Sequence, residues 1–346
     1  MRFPMRSPMC SLAAAALAAL TLSAPVHAEE AVLNLYSARH YQVDEALYED
    51  FEERTGIRIN RVEGNEQELL ERILREGENS PADVFITVDV ARLAQAEAHE
   101  VFAPTGSAYL DERIPAHLRA QTWYAFSRRA RLIIYDKRKL KAEDVPTYES
   151  LADPRLKGLV CSRSGGDTYN LTLVASLVAA HGVEATEDWA RGVVANFARA
   201  PKGGDLDQIK EVATGRCGVA VSNSYYVARM LNSHRVEERN LVKQRVGIVW
   251  PNQADRGTHV NISGGGMVKT APHRENAIKF LEYLASDSAQ RHFANGNNEW
   301  PAVPSVSVDN EALDEMGTFK ADERSLWDIA LHLVEAQKLL DRAGYR

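Results

Sequence analysis

Between Ala31 and Ala98 the chain alternates strand and helix three times over short connections, and that alternation limits it to an α/β fold. "AVLNLYS" (31–37) is an apolar-rich strand candidate, and Val43, Leu47 and Phe51, four apart and closed by Gly56, predict a helix. "IRINRVEG" alternates like a half-buried strand, while "EQELLERILREG" sets Leu70, Ile73 and Leu74 on one apolar face with Gly77 as its stop. "DVFITVD" and "VARLAQAEA" supply the third pair. Such a pattern builds a parallel sheet covered by helices on both sides. After "WYAFSRRA", the strand "RLIIYDK" leads into a second unit: strand "GLVCSR", helices "YNLTLVASLVAAHG", "ATEDWARGVVANF" and "DLDQIKEVATG", strand "CGVAVSN", helix "YYVARML" and strand "QRVGIVWP". A return segment, "HVNISGGGMVKT", precedes helix "HRENAIKFLEYLAS", and two more helical stretches are expected to close the chain. Short connections predict lobes joined by strands instead of floppy linkers.

The N-terminus carries Arg2 and Arg6, an apolar run "SLAAAALAALTLSA" too short to span a bilayer, and Val26-His27-Ala28 before an acidic pair. These are the parts of a cleavable secretory signal over residues 1–28. Cys10 precedes the apolar run, which is the wrong place for lipid attachment. Removal of that segment leaves 318 of the 346 residues, a length suited to two medium lobes, and takes two arginines and no acids from a chain of net charge −7. An acidic mature protein of this kind is not built for nucleic acid or an anionic membrane surface. Cys161 and Cys217 then stand alone in an oxidising compartment, so a disulfide is expected, with two buried free thiols as the alternative; no further Cys or His lies at zinc spacing.

In open α/β sheets ligands gather beyond the carboxyl ends of the strands. Three predicted strand exits present phenols there: "LNLYSARHYQ" brings Tyr36, His40 and Tyr41, "VCSRSGGDTYN" brings Tyr169, and "VAVSNSYYV" brings Tyr225 and Tyr226. Any single tyrosine is more simply a packing residue. Four phenols converging from two lobes would be a costly way to fill a cleft, because buried hydroxyls need partners. Phenolate is a hard anionic donor produced when a highly charged cation displaces its proton, which suits Fe³⁺. Softer ions call for thiolate or thioether, zinc for clustered His or Cys, and calcium for a carboxylate loop that is absent. Four phenolates and a neutral imidazole leave a ferric site at a formal −1, which Arg39 would offset unless it is a solvated surface arginine.

Two other classes of function compete with this reading. Ser37, Ser164, Gly165 and Gly166 lie near predicted helix starts, where N–H groups attract negative charge. An oxyanion or small organic anion is therefore the alternative cargo, although ordinary capping accounts for the same residues. For an enzyme, no G-x-S-x-G, H-E-x-x-H, G-x-G-x-x-G or P-loop occurs, and "GGG" at 264–266 lacks phosphate-loop spacing. Asp44 and Glu45 read as a helix start, not as acid–base groups, so no catalysis is expected.

The stretches "LNLYSARHYQVDEALYEDFEERTGI", "ADVFITVDVARL", "SGGDTYN", "GGDLDQIKEVATGRCGVAVSNSYY" and "NISGGGMVKTAPH" resemble the ferric-iron-binding periplasmic proteins of ABC importers, the FutA and FbpA-like group. The resemblance spans most of the mature chain, with His40-Tyr41 and Tyr225-Tyr226 its most specific parts. It implies a two-lobed type II periplasmic binding protein with a central cleft and strand hinges that closes on Fe³⁺. The first lobe would comprise residues 29–126 plus 260–302, the second 127–259, with C-terminal helices over 303–346. The implied ligands are His40, Tyr41, Tyr169, Tyr225 and Tyr226, with Arg39 close behind them. Some relatives use a carboxylate and two tyrosines with a borrowed carbonate-like anion; the tyrosine-rich set here implies little need for one. The implied partner is an inner-membrane permease, served by a periplasmic monomer.

Overall fold

The structure, a computed structural model, describes Met1, residues 31–39 and residues 41–346. The expected signal segment and His40 thus lie outside the described residues, Met1 apart. The first half of the chain forms β1 (Val32–Ser37), α1 (Glu45–Thr55), β2 (Arg58–Glu63), α2 (Glu66–Glu76), β3 (Val84–Thr87), α3 (Val90–Ala98), β4 (Phe102–Ala103) and α4 (Ala108–Arg113), leading to the long strand β5 (Tyr124–Asp136). Then follow β6 (Val160–Cys161), α5 (Thr168–His181), α6 (Val183–Ala195), α7 (Asp205–Thr214), β7 (Val219–Asn223), α8 (Ser224–Leu231), α9 (Val236–Arg245), β8 (Val246–Val249) and β9 (Val260–Val268). The chain ends with α10 (Arg274–Leu284), α11 (Asp287–Asn297), β10 (Trp300–Pro301), α12 (Glu311–Glu315), α13 (Leu326–Ala330) and α14 (Leu333–Ala343).

Each expected strand–helix pair of the first unit is present, and Gly56 ends α1 in the left-handed region at φ 68°. The sheet is mixed, not wholly parallel. β1 pairs in parallel with β2 and β3, and β6 with β7. By contrast β9 runs antiparallel to both β3 and β5. The reason is topological: β5 carries the chain out of the first unit and β9 brings it back, so the two must oppose each other. Residues Tyr124–Ala130 of β5 pair with β9, and Arg131–Asp136 with β7 and β8, so one strand belongs to both halves of the sheet. "WYAFSRRA" is therefore the first half of this strand and not a lead-in to it.

The three glycines of β9 serve this crossing. A Cβ on Gly264 would lie 2.6 Å from the Tyr124 carbonyl, and one on Gly265 2.6 Å from that of Phe85. Flanked by β3 and β5, the strand has no room for side chains there.

Burial departs from the periodicity at a few points. Leu69 takes the core position beside Leu70 and Ile73, while Leu74 and Val43 are each 40% exposed. Four helical segments follow α10, not two, and α9 was not anticipated. One core surrounds Leu33, Leu35, Phe85, Trp123 and Phe280, and a second holds Leu132, Ile134, Ile209, Val212 and Val227 beneath β7 and α7. Each such side chain contributes about 1.5–3 kcal/mol by leaving water.

Cys161 on β6 and Cys217 just before β7 form a disulfide across a neighbouring pair of parallel strands, with Cα atoms 5.8 Å apart. Among the described residues, no helix is long and apolar enough to cross a membrane.

Candidate metal centre

The strand β7 stops at Asn223, whose backbone is still extended, and α8 starts at Ser224. Tyr225 and Tyr226 consequently occupy the first turn of a helix, where a step of about 100° lets neighbours look toward one point. Their ring centroids are 4.2 Å apart and tilted by 35°. The Ser224 hydroxyl accepts from the Ala130 N–H at 3.2 Å and pins that turn to β5.

Tyr169 lies in the first turn of α5, whose N-cap Asp167 accepts from the Tyr169 N–H at 3.1 Å. The Tyr169 and Tyr225 hydroxyl oxygens are 3.4 Å apart. Tyr41 comes from a separate segment, between the end of β1 and the single helical turn that precedes α1. Tyr41, Tyr169, Tyr225 and Tyr226 all lie within electrostatic reach of one another. Tyr36 is separate: it is packed in the core, with its hydroxyl 3.3 Å from the Glu76 carboxylate.

Burial is the main reason that Tyr41, Tyr169 and Tyr225 hold their protons above the ordinary phenol range. For Tyr225 the rise is large, and the neighbouring phenols Tyr169, Tyr41 and Tyr226 add to it. Without a cation Tyr41, Tyr169 and Tyr225 are therefore neutral phenols. A hard, highly charged ion supplies the interaction that deprotonates them, and the closeness that makes the phenolates repel then makes them a binding site.

Arg39 lies with its guanidinium carbon 4.9 Å from the Tyr41 ring centroid, yet it is not a solvated cation. It is 3% exposed and fully paired: Nε and Nη2 donate to Asp44 at 2.9 and 3.2 Å, and Nη1 donates to Ser263 at 2.8 Å and Glu299 at 3.1 Å. Asp44 is likewise buried; α1 starts directly after it, but its carboxylate serves Arg39 and not the helix N-terminus.

Sequence reasoning missed Arg129. It lies on β5, 2% exposed, and its Nη1 donates to the Ser263 hydroxyl at 3.0 Å. Its guanidinium faces Tyr169 and Tyr225, and Nε and Nη2 have no hydrogen-bond partner among the described residues. Glu299, 3.6 Å from Arg129 and also bound to Arg39, was missed too. The available signal was the run of arginines 128, 129 and 131 inside an otherwise apolar strand.

The helix starts proposed as anion holders are partly satisfied from within. Asp167 caps α5, and the Ser164 hydroxyl accepts from the Gly166 N–H at 3.3 Å. Gly165 packs so tightly on the Tyr345 carbonyl that a Cβ would collide with it. Cys161, Glu211 and Cys217 are the described Cys, His and carboxylate groups close enough to share a metal, but their sulfurs are joined.

Known proteins agree with this architecture. A family model for bacterial extracellular solute-binding proteins matches residues 46–321. Iron uptake protein A1 of Synechocystis sp. is 47% identical over 320 residues, spanning 92% of this chain and 88% of that protein. The solved structure of Trichodesmium FutA in complex with iron and citrate has a TM-score of 0.87 at 47% identity, covering 91% of this chain and 100% of that one. For the ferric binding protein of Campylobacter jejuni the TM-score is 0.84 at 40% identity, with the same coverage. The chain belongs to the bacterial extracellular solute-binding proteins, in the group of two-lobed type II binding proteins that includes the FutA and FbpA-like ferric-binding proteins.

Proposed function

We propose that this chain is the periplasmic binding component of an ABC importer, holding Fe³⁺ in an interlobe cleft and delivering it to an inner-membrane permease. The observation that carries the reading is the meeting of Tyr41, Tyr169, Tyr225 and Tyr226 from three separate chain segments at one partly buried point. Relatives of high identity named for iron support it. His40, beside Tyr41 in the chain, is assigned the remaining ligand position.

In this reading Fe³⁺ displaces the phenol protons, and the resulting phenolates are drawn together across the cleft. Arg129, with two guanidinium nitrogens free of hydrogen-bond partners among the described residues, balances the excess negative charge from the Tyr169 and Tyr225 side. Arg39 is already neutralised by Asp44 and Glu299, so its part is to hold the Tyr41 loop. Closure pivots on β5 between Ala130 and Arg131 and on the start of β9, so that the first lobe lies before the first point and after the second, and the second lobe lies between them. The protein works as an exported monomer once residues 1–28 are removed, and binds without turning its cargo over.

Metal analysis and a visible spectrum of protein purified from the export compartment test the reading. The expected result is about one iron per chain and a phenolate-to-iron band that fades on reduction. A colourless protein carrying an oxyanion would favour the alternative cargo.

A further inference from the structure

The three tyrosines of the second half stand on two different helix starts, and something must hold those starts in register. Arg131 occupies the point where β5 passes from one half of the sheet to the other, and it is 3% exposed. Its Nη2 donates to Asn170 Oδ1 at 2.7 Å, next to Tyr169 on α5. Its Nη1 donates to Asn223 Oδ1 at 3.2 Å, two residues before Tyr225, and to Asp205 Oδ2 at 2.7 Å. The same Asp205 oxygen accepts the Asn223 N–H at 2.7 Å, so the anchor is doubled at the start of α8. On the α5 side, Asn170 Nδ2 lies within 3.2 Å of Ser162 Oγ and of the Arg163 and Ser164 carbonyls, which ties in the loop that precedes Tyr169.

We infer that Arg131 is a positioning residue of the metal centre: its planar fork sets the distance between the Tyr169 helix start and the Tyr225-Tyr226 helix start. The inference rests on the reading of those phenols as iron ligands. A guanidinium suits the task because its donors diverge in one fixed plane toward three acceptors on three elements. A lysine ammonium carries the same charge but lacks that plane, so it can keep Asp205 company without holding both helix starts. A shift of one start relative to the other changes how many phenolates reach the ion and at what angle. Such a shift leaves a spectroscopic trace that a mere loss of stability does not.

The test compares wild type, Arg131→Lys and Asn170→Ala by chelator competition for Fe³⁺, by the position of the visible band and by thermal unfolding. Both variants are expected to keep bound iron with roughly 10–100-fold lower affinity, as for residues that orient metal ligands, and with a displaced band. In a Tyr169→Phe background the effect of Asn170→Ala on affinity should shrink to less than twofold, because the group it orients has gone. If Arg131→Lys fails to fold, Asn170→Ala decides, since it leaves the Arg131–Asp205 pair in place. Wild-type affinity and band in the folded variants would overturn the role of Arg131. A wild-type protein without iron or colour would overturn the iron reading itself, and the inference with it.

Discussion

Asp89 Oδ1 lies 3.0 Å from the Thr172 hydroxyl, both side chains fully buried, and so joins the end of β3 to the second turn of the helix that carries Tyr169. The same hydroxyl lies 2.9 Å from the Thr168 carbonyl inside α5. While Asp89 is ionised, Thr172, with one proton to give, serves its own helix or the carboxylate across from it, and only the second choice holds the two halves together. Asp89 is anchored for this by the Ala91 N–H at 2.8 Å and by Asn261 Nδ2 at 2.7 Å.

Thr172→Val keeps the shape of the side chain and removes the latch. The variant is expected to lose about 1 kcal/mol of closure, roughly a fivefold faster release of iron, with an unchanged visible band. Stopped-flow transfer to a chelator measures it, and an unaltered rate would show that the contact does not restrain opening.

Two pH dependences of opposite sign follow from burial. Burial, with the negative charge of Glu66 adding and Arg129 opposing, pushes the Asp89 carboxyl up to about 7. A folded-state value above the ordinary one means that the folded protein binds this proton more tightly. The stability it contributes is full near pH 4 and is lost as pH rises through about 7. In metal-free protein, the difference in Tm between wild type and Asp89→Asn should therefore move in favour of wild type from pH 8 to pH 5.

Iron binding runs the other way. Tyr41, Tyr169 and Tyr225 hold their protons above the usual phenol range, so each must release one to the solvent when Fe³⁺ enters. Affinity should fall on acidification by up to about a decade per phenol per pH unit, as read by chelator competition between pH 8 and pH 6. An affinity indifferent to pH would mean that phenolates are not the ligands.

The disulfide closes a loop with a sequence separation of 56, and chain entropy gives it about 4 kcal/mol. The Cys161→Ser, Cys217→Ser protein should unfold at correspondingly lower denaturant. Its iron affinity should change far less than its stability, because neither cysteine touches the tyrosines. A loss of iron in the folded double variant would instead tie the disulfide to the placement of α5, which follows β6 in the chain.

How much of this was legible in the chain depends on range. Tyr41, Tyr169, Tyr225 and Tyr226 could be assigned to strand exits because a strand end and a helix start are local events, written in "VAVSNSYY" and "SGGDTYN". Their convergence needed the family resemblance or the structure. Arg129 and Arg131 showed only as charges inside an apolar strand, and Glu299 gave no sign of its partners. A charged residue in a strand ordinarily marks a solvent face, and only the pairing of β5 with β7 and β9 on opposite ends buries the two arginines. The helix α9 escaped for the converse reason: among "VEERNLVKQR" Val242 is the only residue buried, so no apolar stripe announces it. Arg39 showed its charge but not its partners, since Glu299 lies 260 residues away.

The central claim is that the adjacent phenols of Tyr225 and Tyr226 bind the ion and do not merely pack the cleft. The most direct measurement is iron content and visible absorbance of the Tyr225→Phe, Tyr226→Phe protein beside wild type, with circular dichroism as the check on folding. The rings and their packing remain while two oxygens go, so the expected double variant is folded, colourless and unable to retain Fe³⁺, whereas wild type carries about one iron and its band. A folded double variant that kept stoichiometric iron and the wild-type colour would contradict the account and put the ferric site elsewhere.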